Sequence, residues 1–493
     1  MIDLPDISAK RAALAPDRVA MEEVGTGRVL TYADLDRRAV QAASLMADRK
    51  IGPGDRVAIL CRNRTAFFEL LFACGKLGAI LVPLNWRMPP AELDQLLTDC
   101  TPKLLFYGAE DEAVVGRIMY PPPTIALDGD YEGLVEKARP RSFRTLWPAS
   151  DIWYLLYTSG TTGRPKGVIH NYGMVLANYV NIGSAIDLGS QDTTLNFLPL
   201  FHTAGINLHT LPTLMAGGRV LVMTGFNADL LVGQFEQRRI DTFFAVPTIF
   251  QELLDHPRFA AAPLGHVRHW GCGGAPLPDA LAERYRELGL RVCNGMGMTE
   301  TGPTAFLTAP ADAWDHIGSV GKPQLLCSAR IVDSEGKDVA DEMVGELLFA
   351  GPGISPGYWR NEEATKAAFT PDGWLRSGDL ARRDAQGFYY VTGRQKEMFI
   401  SGGENVYPAE VENVLCSHPA VAEAAIVARP DPKWGEAGRA FLVLREGAAA
   451  PTDELMHEFC RGRLAPYKIP RSFEYVADFP RTAAGKIQKH LLD

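Results

Sequence analysis

The stretch Tyr157-Thr-Ser-Gly-Thr-Thr-Gly-Arg-Pro-Lys-Gly167 gathers residue types that hold phosphate into one short loop. Gly160 and Gly163 let successive backbone N–H groups turn toward one point, and Thr158, Ser159, Thr161 and Thr162 add hydroxyl donors. Lys166 adds a point charge, so the loop reads as a polyphosphate cradle. It is not a Walker A loop, because the spacing G-x-x-x-x-G-K-[ST] is absent. Glycine and hydroxyl residues alone would suit a surface linker; the ending Pro165-Lys166-Gly167 argues against one. A second candidate is Met298-Thr299-Glu300, just past a predicted strand end. Its hydroxyl can hold a phosphate oxygen, and its carboxylate can hold Mg²⁺ bridging phosphates. Asp379, in Trp374-Leu-Arg-Ser-Gly-Asp379, reads in isolation as a turn aspartate, and Lys486 as a solvated charge.

In their order along the chain, these motifs resemble the signatures of the AMP-forming adenylating enzymes. That group takes in acyl-CoA synthetases, 4-coumarate–CoA ligases, firefly-type luciferases and peptide-synthetase adenylation domains. The resemblance covers essentially the whole chain. It implies ATP, Mg²⁺ and CoA as the bound species, with Thr158, Lys166 and Thr299 on phosphate oxygens and Glu300 on the magnesium. Gly295-Met296-Gly297-Met298 and Asn294 fall on the second nucleotide motif, and Gly273-Gly274-Ala275-Pro276 on the strip beside adenine. Met296 departs from the family, which usually has an aromatic residue there; a thioether can replace that contact. Asp379 becomes the ribose ligand, because a carboxylate accepts both ribose hydroxyl protons, and Arg394 its neighbour near ribose and phosphate. Lys486, in Pro480-Arg-Thr-Ala-Ala-Gly-Lys-Ile487, becomes the cation that bridges the attacking carboxylate and the α-phosphate.

Lys486 and the phosphate loop are far apart in sequence and meet only if the tail of the chain closes on the main body. The second half-reaction then needs room for a thiol. The family's tail rotates about a residue matching Lys396, and Ser401-Gly402-Gly403 lines the pantetheine path. Trp434 matches a position beside that path, although a tryptophan in the core of the tail is a comparable reading.

For the acid, the run Leu198-Pro-Leu-Phe-His202-Thr-Ala-Gly205 borders the acyl pocket, with His202 as gate or carboxylate neighbour. Peptide-synthetase domains carry an aspartate there for the substrate ammonium; the histidine argues against an α-amino acid. Ala204, Val246, Gly273, Gly295, Pro303 and Thr304 complete a small-lined, mostly neutral slot. No arginine is evident for a second carboxylate, which argues against malonate. Thr299-Glu-Thr-Gly-Pro303 resembles aryl–CoA ligases, so the expected substrate is a hydroxycinnamate such as ferulate or coumarate, ahead of a medium- or long-chain fatty acid. A ligase that loads a carrier protein shares the same tunnel. An inactive nucleotide- or acyl-binding sensor would usually lose Lys486, Glu300 or Asp379, and all three are present.

The elements that must position these residues are α/β. Thr31-Tyr-Ala-Asp34 is a capping box opening a helix, followed by predicted strands at 56–61 and 79–84 around a helix at 65–77. Such alternation predicts parallel sheets with covering helices. From about Ala309 short strands and turns predict a small β-barrel-like subdomain, and after Arg394 a compact α+β tail follows. The expected domains are 1–395, binding ATP and acid, and a mobile 396–493 carrying Lys486.

The 46% hydrophobic and 22% charged composition suits a soluble globular enzyme. A net charge of −9 offers no basic field for nucleic acid or anionic membrane. Residues 70–84, the most apolar run, are interrupted by Lys76 and two glycines, so no membrane span is expected. Eight cysteines without a C-x-x-C pair read as reduced thiols, and the expected location is cytoplasmic. The expected partners are small molecules; the oligomeric state, a homodimer included, stays open.

Overall fold

Thr31 caps the helix Tyr32–Asp48 as the sequence predicts, with reciprocal bonds between its side chain and Asp34. The computed structural model describes residues 3–158, 165–481 and 487–492. The next helix, Thr65–Leu77, is buried along its whole length, as an element apolar on every side must be. Its two charges are paired. Arg38 donates to Glu69 from Nε at 2.6 Å and from Nη2 at 2.9 Å. Lys76 reaches Asp6 at 2.7 Å and Asp36 at 2.6 Å.

These helices cover two large sheets. The six-stranded sheet runs Lys166–Asn171, Ile152–Thr158, Ile80–Pro83, Arg56–Leu60, Leu104–Tyr107, Thr124–Ala126 in spatial order. It is parallel except at its first pair, where Lys166 lies opposite Thr158. The nine-stranded sheet is parallel from Val292–Met296 through His269–Gly273, Thr242–Ala245, Thr193–Asn196 and Arg219–Val222 to Val19–Glu23, with antiparallel strands at both edges. The short-strand region resolves into a four-stranded antiparallel sheet from Ser328–Val332 to Tyr389–Arg394. Its core packs Phe306, Val320, Leu347 and Phe349 together.

Beyond Arg394 the chain makes a turn and enters another sheet at Phe399–Ser401. That sheet, with the helices Pro408–Cys416 and Asp453–Arg461, has its own core around Val411, Leu442 and Met456. It touches the main body through polar contacts. Asn413 donates to Asp279 Oδ2 at 2.8 Å and accepts from the Asp279 N–H at 3.2 Å, and Arg445 reaches Gln251 at 3.4 Å. All eight cysteines are free thiols, and no helix among the described residues is long and apolar enough to cross a membrane.

His170, on the antiparallel edge strand, is fully buried against Tyr154 with ring centroids 4.8 Å apart, and neither ring nitrogen has a hydrogen-bond partner among the described residues. Burial lowers its pKa from 6.5 to about 3. Between those values the unfolded chain binds the proton and the folded chain does not, so stability falls as pH drops through that window. His170→Phe is expected to flatten the loss of melting temperature between pH 7 and pH 5. An unchanged slope would count against a neutral imidazole there.

Candidate active site

The strand Ile152–Thr158 ends at the mouth of a cleft of about 2410 Å³, and Lys166 opens the return strand beside it. Thr158 and Lys166 both line the cleft; Ser159, Gly160, Thr161, Thr162 and Gly163 lie outside the described residues. The Lys166 ammonium stands 5.1 Å from the centre of the Tyr358 ring. Tyr358 donates its hydroxyl to Glu300 Oε1 at 2.8 Å. The carboxylate, the phenol and the ammonium therefore form one polar wall. Burial first, and then the Glu300 charge, raise the Tyr358 pKa, which keeps the phenol protonated as the donor.

Glu300 sits in the short 3₁₀ turn Thr299–Thr301 after the strand Val292–Met296. Backbone packing fixes that turn: a Cβ at Gly297 would overlap the Pro303 carbonyl oxygen. Gly295, Met296, Gly297, Met298, Thr299, Pro303 and Thr304 all line the cleft, so the second nucleotide motif forms a continuous wall. Asn294 does not belong to it, because its side-chain amide is spent on the Ser319 carbonyl at 3.0 Å. Gly273 and Gly274 face the cleft, whereas Ala275 and Pro276 lie in the loop beyond and do not line it.

Asp379 and Arg394 are cross-strand partners in register, and Arg394 Nε lies 2.6 Å from Asp379 Oδ1. Ser377 accepts the Asp379 N–H at 3.0 Å; Asp379 itself is buried and does not line the cleft, although its neighbours Ser377 and Gly378 do. Arg394, Gln395 and Lys396 line the cleft beside Ser377 and Gly378.

Arg481 and Ile487 also line the cleft and pair as an isolated β-bridge. Lys486 lies outside the described residues. Lys489 braces this end of the chain at 2.7 Å from both Glu397 and Glu412. Ser401, Gly402, Gly403 and Trp434 do not line the cleft. They form a separate group in which the Gly402 N–H donates to the Trp434 carbonyl at 2.8 Å, and a Cβ at Gly402 would strike the indole.

The residues expected for an acyl pocket, His202, Ala204, Val246, Gly273, Gly295, Pro303 and Thr304, all line the cleft. Four cleft residues carried no signal in the sequence reading: Tyr358, Phe244, His209 and His269. For His269 a clue exists in the alternation His269-Trp-Gly-Cys-Gly273, which places one histidine and two glycines on one strand face. At the outer mouth Arg62 lies 3.4 Å and Arg87 4.5 Å from the Trp86 ring centre, giving that rim positive charge.

A family model described as AMP-binding enzyme matches residues 8–359, and its C-terminal domain model matches residues 410–486. The chain belongs to the AMP-binding enzyme family. Among similar members, the feruloyl-CoA synthase of Amycolatopsis sp is 40% identical over 97% of this chain and 96% of its own length. The indoleacetate–CoA ligase of Aromatoleum aromaticum is 36% identical over 99% and 97%. The o-succinylbenzoate CoA synthetase of Bacillus subtilis, solved with its acyl-adenylate intermediate, superposes with a TM-score of 0.91 at 32% identity, over 100% and 99% of the two chains. As a member of this family the protein is an AMP-forming acyl-CoA synthetase, a ligase that uses ATP and CoA.

Proposed function

We propose that this ligase activates hydroxycinnamic acids such as ferulate or coumarate. Acid and ATP give an acyl-adenylate and pyrophosphate, and the CoA thiolate then displaces AMP. The observation that carries the reading is the shape of the acyl slot. Gly273 and Gly295 pair in register as one wall, and Val246 and Phe244 stand beside it. A wall without side chains beside an aromatic ring suits a flat, conjugated acid, and the likeness to a feruloyl-CoA synthase points the same way.

In this reading Thr158, Lys166 and Thr299 hold phosphate oxygens, Met296 packs on adenine between Gly273 and Gly274, and Asp379 takes the ribose hydroxyls with Arg394 beside it. The Glu300 site fits Mg²⁺: one carboxylate faces the phosphate wall, and no cluster of three ligating side chains occurs among the described residues. That matches a metal held mainly by substrate phosphates and water. When bound, Mg²⁺ neutralises phosphate charge. His202 guards the carboxylate side of the slot. The domain boundary lies at 395/396, with Lys396 as pivot, and Ser401, Gly402, Gly403 and Trp434 receive the pantetheine arm after rotation.

AMP release with MgATP and CoA across ferulate, coumarate, benzoate, octanoate, palmitate and malonate tests this. Turnover concentrated on the two hydroxycinnamates is expected. Turnover concentrated on octanoate or palmitate would replace the substrate assignment with a fatty acid and leave the mechanism standing.

A further inference from the structure

The strand His269–Gly273 runs along the floor of the acyl slot. Residues 269, 271 and 273 share one face, since side chains alternate along a strand. His269 and Gly273 line the cleft, and a Cβ at Gly271 would come within 2.7 Å of the Phe244 ring and 3.0 Å of the His269 ring, so this glycine makes room for those two side chains.

His269 is 2% exposed, lines the cleft, and neither Nδ1 nor Nε2 has a hydrogen-bond partner among the described residues. His209 lines the same end, with the two ring centroids 6.0 Å apart. Its Nδ1 lies 3.3 Å from the Thr194 hydroxyl, which itself donates to the Thr242 carbonyl at 3.4 Å. The proton shared with His209 therefore sits on Nδ1, and Nε2 is left as an acceptor. Ile182, Leu208, Phe244 and Leu307 add apolar lining to the same cleft.

Two buried imidazoles at the end of an apolar slot are costly unless something bonds them. Burial keeps both neutral, with the His209 pKa lowered to about 4 and that of His269 to about 3, so His269 offers one donor and one acceptor nitrogen and His209 offers the acceptor Nε2. A substrate that ends in hydrogen or methyl leaves them unsatisfied. A hydroxyl satisfies both, donating to one nitrogen and accepting from the other ring's N–H.

We propose that His269 and His209 read a phenolic hydroxyl at the remote end of the acid, so that the enzyme selects 4-hydroxyaryl acids over the same acids without the hydroxyl. This rests on the hydroxycinnamate reading and adds to it the residues that enforce it.

The test compares kcat/KM for 4-hydroxycinnamate and unsubstituted cinnamate, by AMP release, in the wild type, His269→Leu, His209→Leu and His269→Gln. The wild type is expected to favour the hydroxy acid at least about tenfold, since unpaired buried polar groups penalise an analogue that lacks the hydroxyl. Each leucine variant is expected to bring the ratio near one by losing activity on 4-hydroxycinnamate while keeping that on cinnamate. His269→Gln, which still offers a donor and an acceptor, is expected to retain most of the preference. A wild-type ratio near one overturns the inference and needs no variant to do so. A ratio unchanged in both leucine variants, with melting curves intact, overturns it equally. Turnover of alkyl acids with neither cinnamate used overturns the hydroxycinnamate reading itself, and this inference with it.

Discussion

Replacing Lys486 with alanine is expected to slow acyl-adenylate formation by about 100-fold or more, read as ATP–pyrophosphate exchange. Thioester formation from a preformed acyl-adenylate is expected to survive. In-line attack of the carboxylate on the α-phosphorus gathers negative charge on oxygen, and a positioned cation there stabilises the transition state more than the ground state. The residues on either side of the lysine's segment, Arg481 and Ile487, pair with each other and face the same cleft as Thr158 and Lys166. In the proposed mechanism the thiol step begins after that charge has been resolved and does not need this cation. Equal loss of both half-reactions in a folded variant would remove Lys486 from the adenylation step.

Glu300→Gln is expected to lower adenylation by about 100-fold at millimolar Mg²⁺. The amide keeps an oxygen that can accept from Tyr358 and removes only the charge, so the loss reports on metal and phosphate rather than on folding. Tyr358→Phe leaves the charge and removes its orienting bond. It is expected to raise the Mg²⁺ concentration needed for half-maximal exchange by about tenfold. Matching effects from the two variants, or a Glu300→Gln enzyme with normal Mg²⁺ dependence, would place the metal elsewhere.

The motif residues were legible because their chemistry is local. A lysine after glycines, or a carboxylate after a strand end, can be read within a few residues. The helix Thr65–Leu77 and the strand Arg56–Leu60 were legible for a related reason, since apolar pattern and length alone define them. What sequence reasoning missed depends on pairing across distance. The family resemblance put Asp379 and Arg394 together, but the register of the four-stranded sheet that sets them opposite each other had no local signal. Tyr358 joins Glu300 only because the segment after Ser355 packs back on the phosphate strands, with the Trp359 N–H donating to the Gly167 carbonyl at 2.7 Å. Asn294 misled for the opposite reason. It sits in the right motif, yet its amide is taken by Ser319, a residue with no nearby sequence cue.

The glycines of the acyl slot set the terms on which this enzyme can change its diet. A side chain at Gly273 would come within 2.7 Å of the Gly295 carbonyl oxygen, and one at Gly295 within 2.9 Å of the Phe306 carbonyl oxygen. Side chains at Gly205 and Gly297 would collide with backbone as well. Backbone gives way far less readily than a rotamer. These positions are closed to drift, and one side of the slot is inherited unchanged. Room for new acids lies instead with side chains that line the cleft, among them Ala204, Leu208, His209, Phe244, Val246 and Thr304. A mutational library at those positions is expected to shift the substrate range with more folded variants than one that includes Gly273, Gly295 and Gly297.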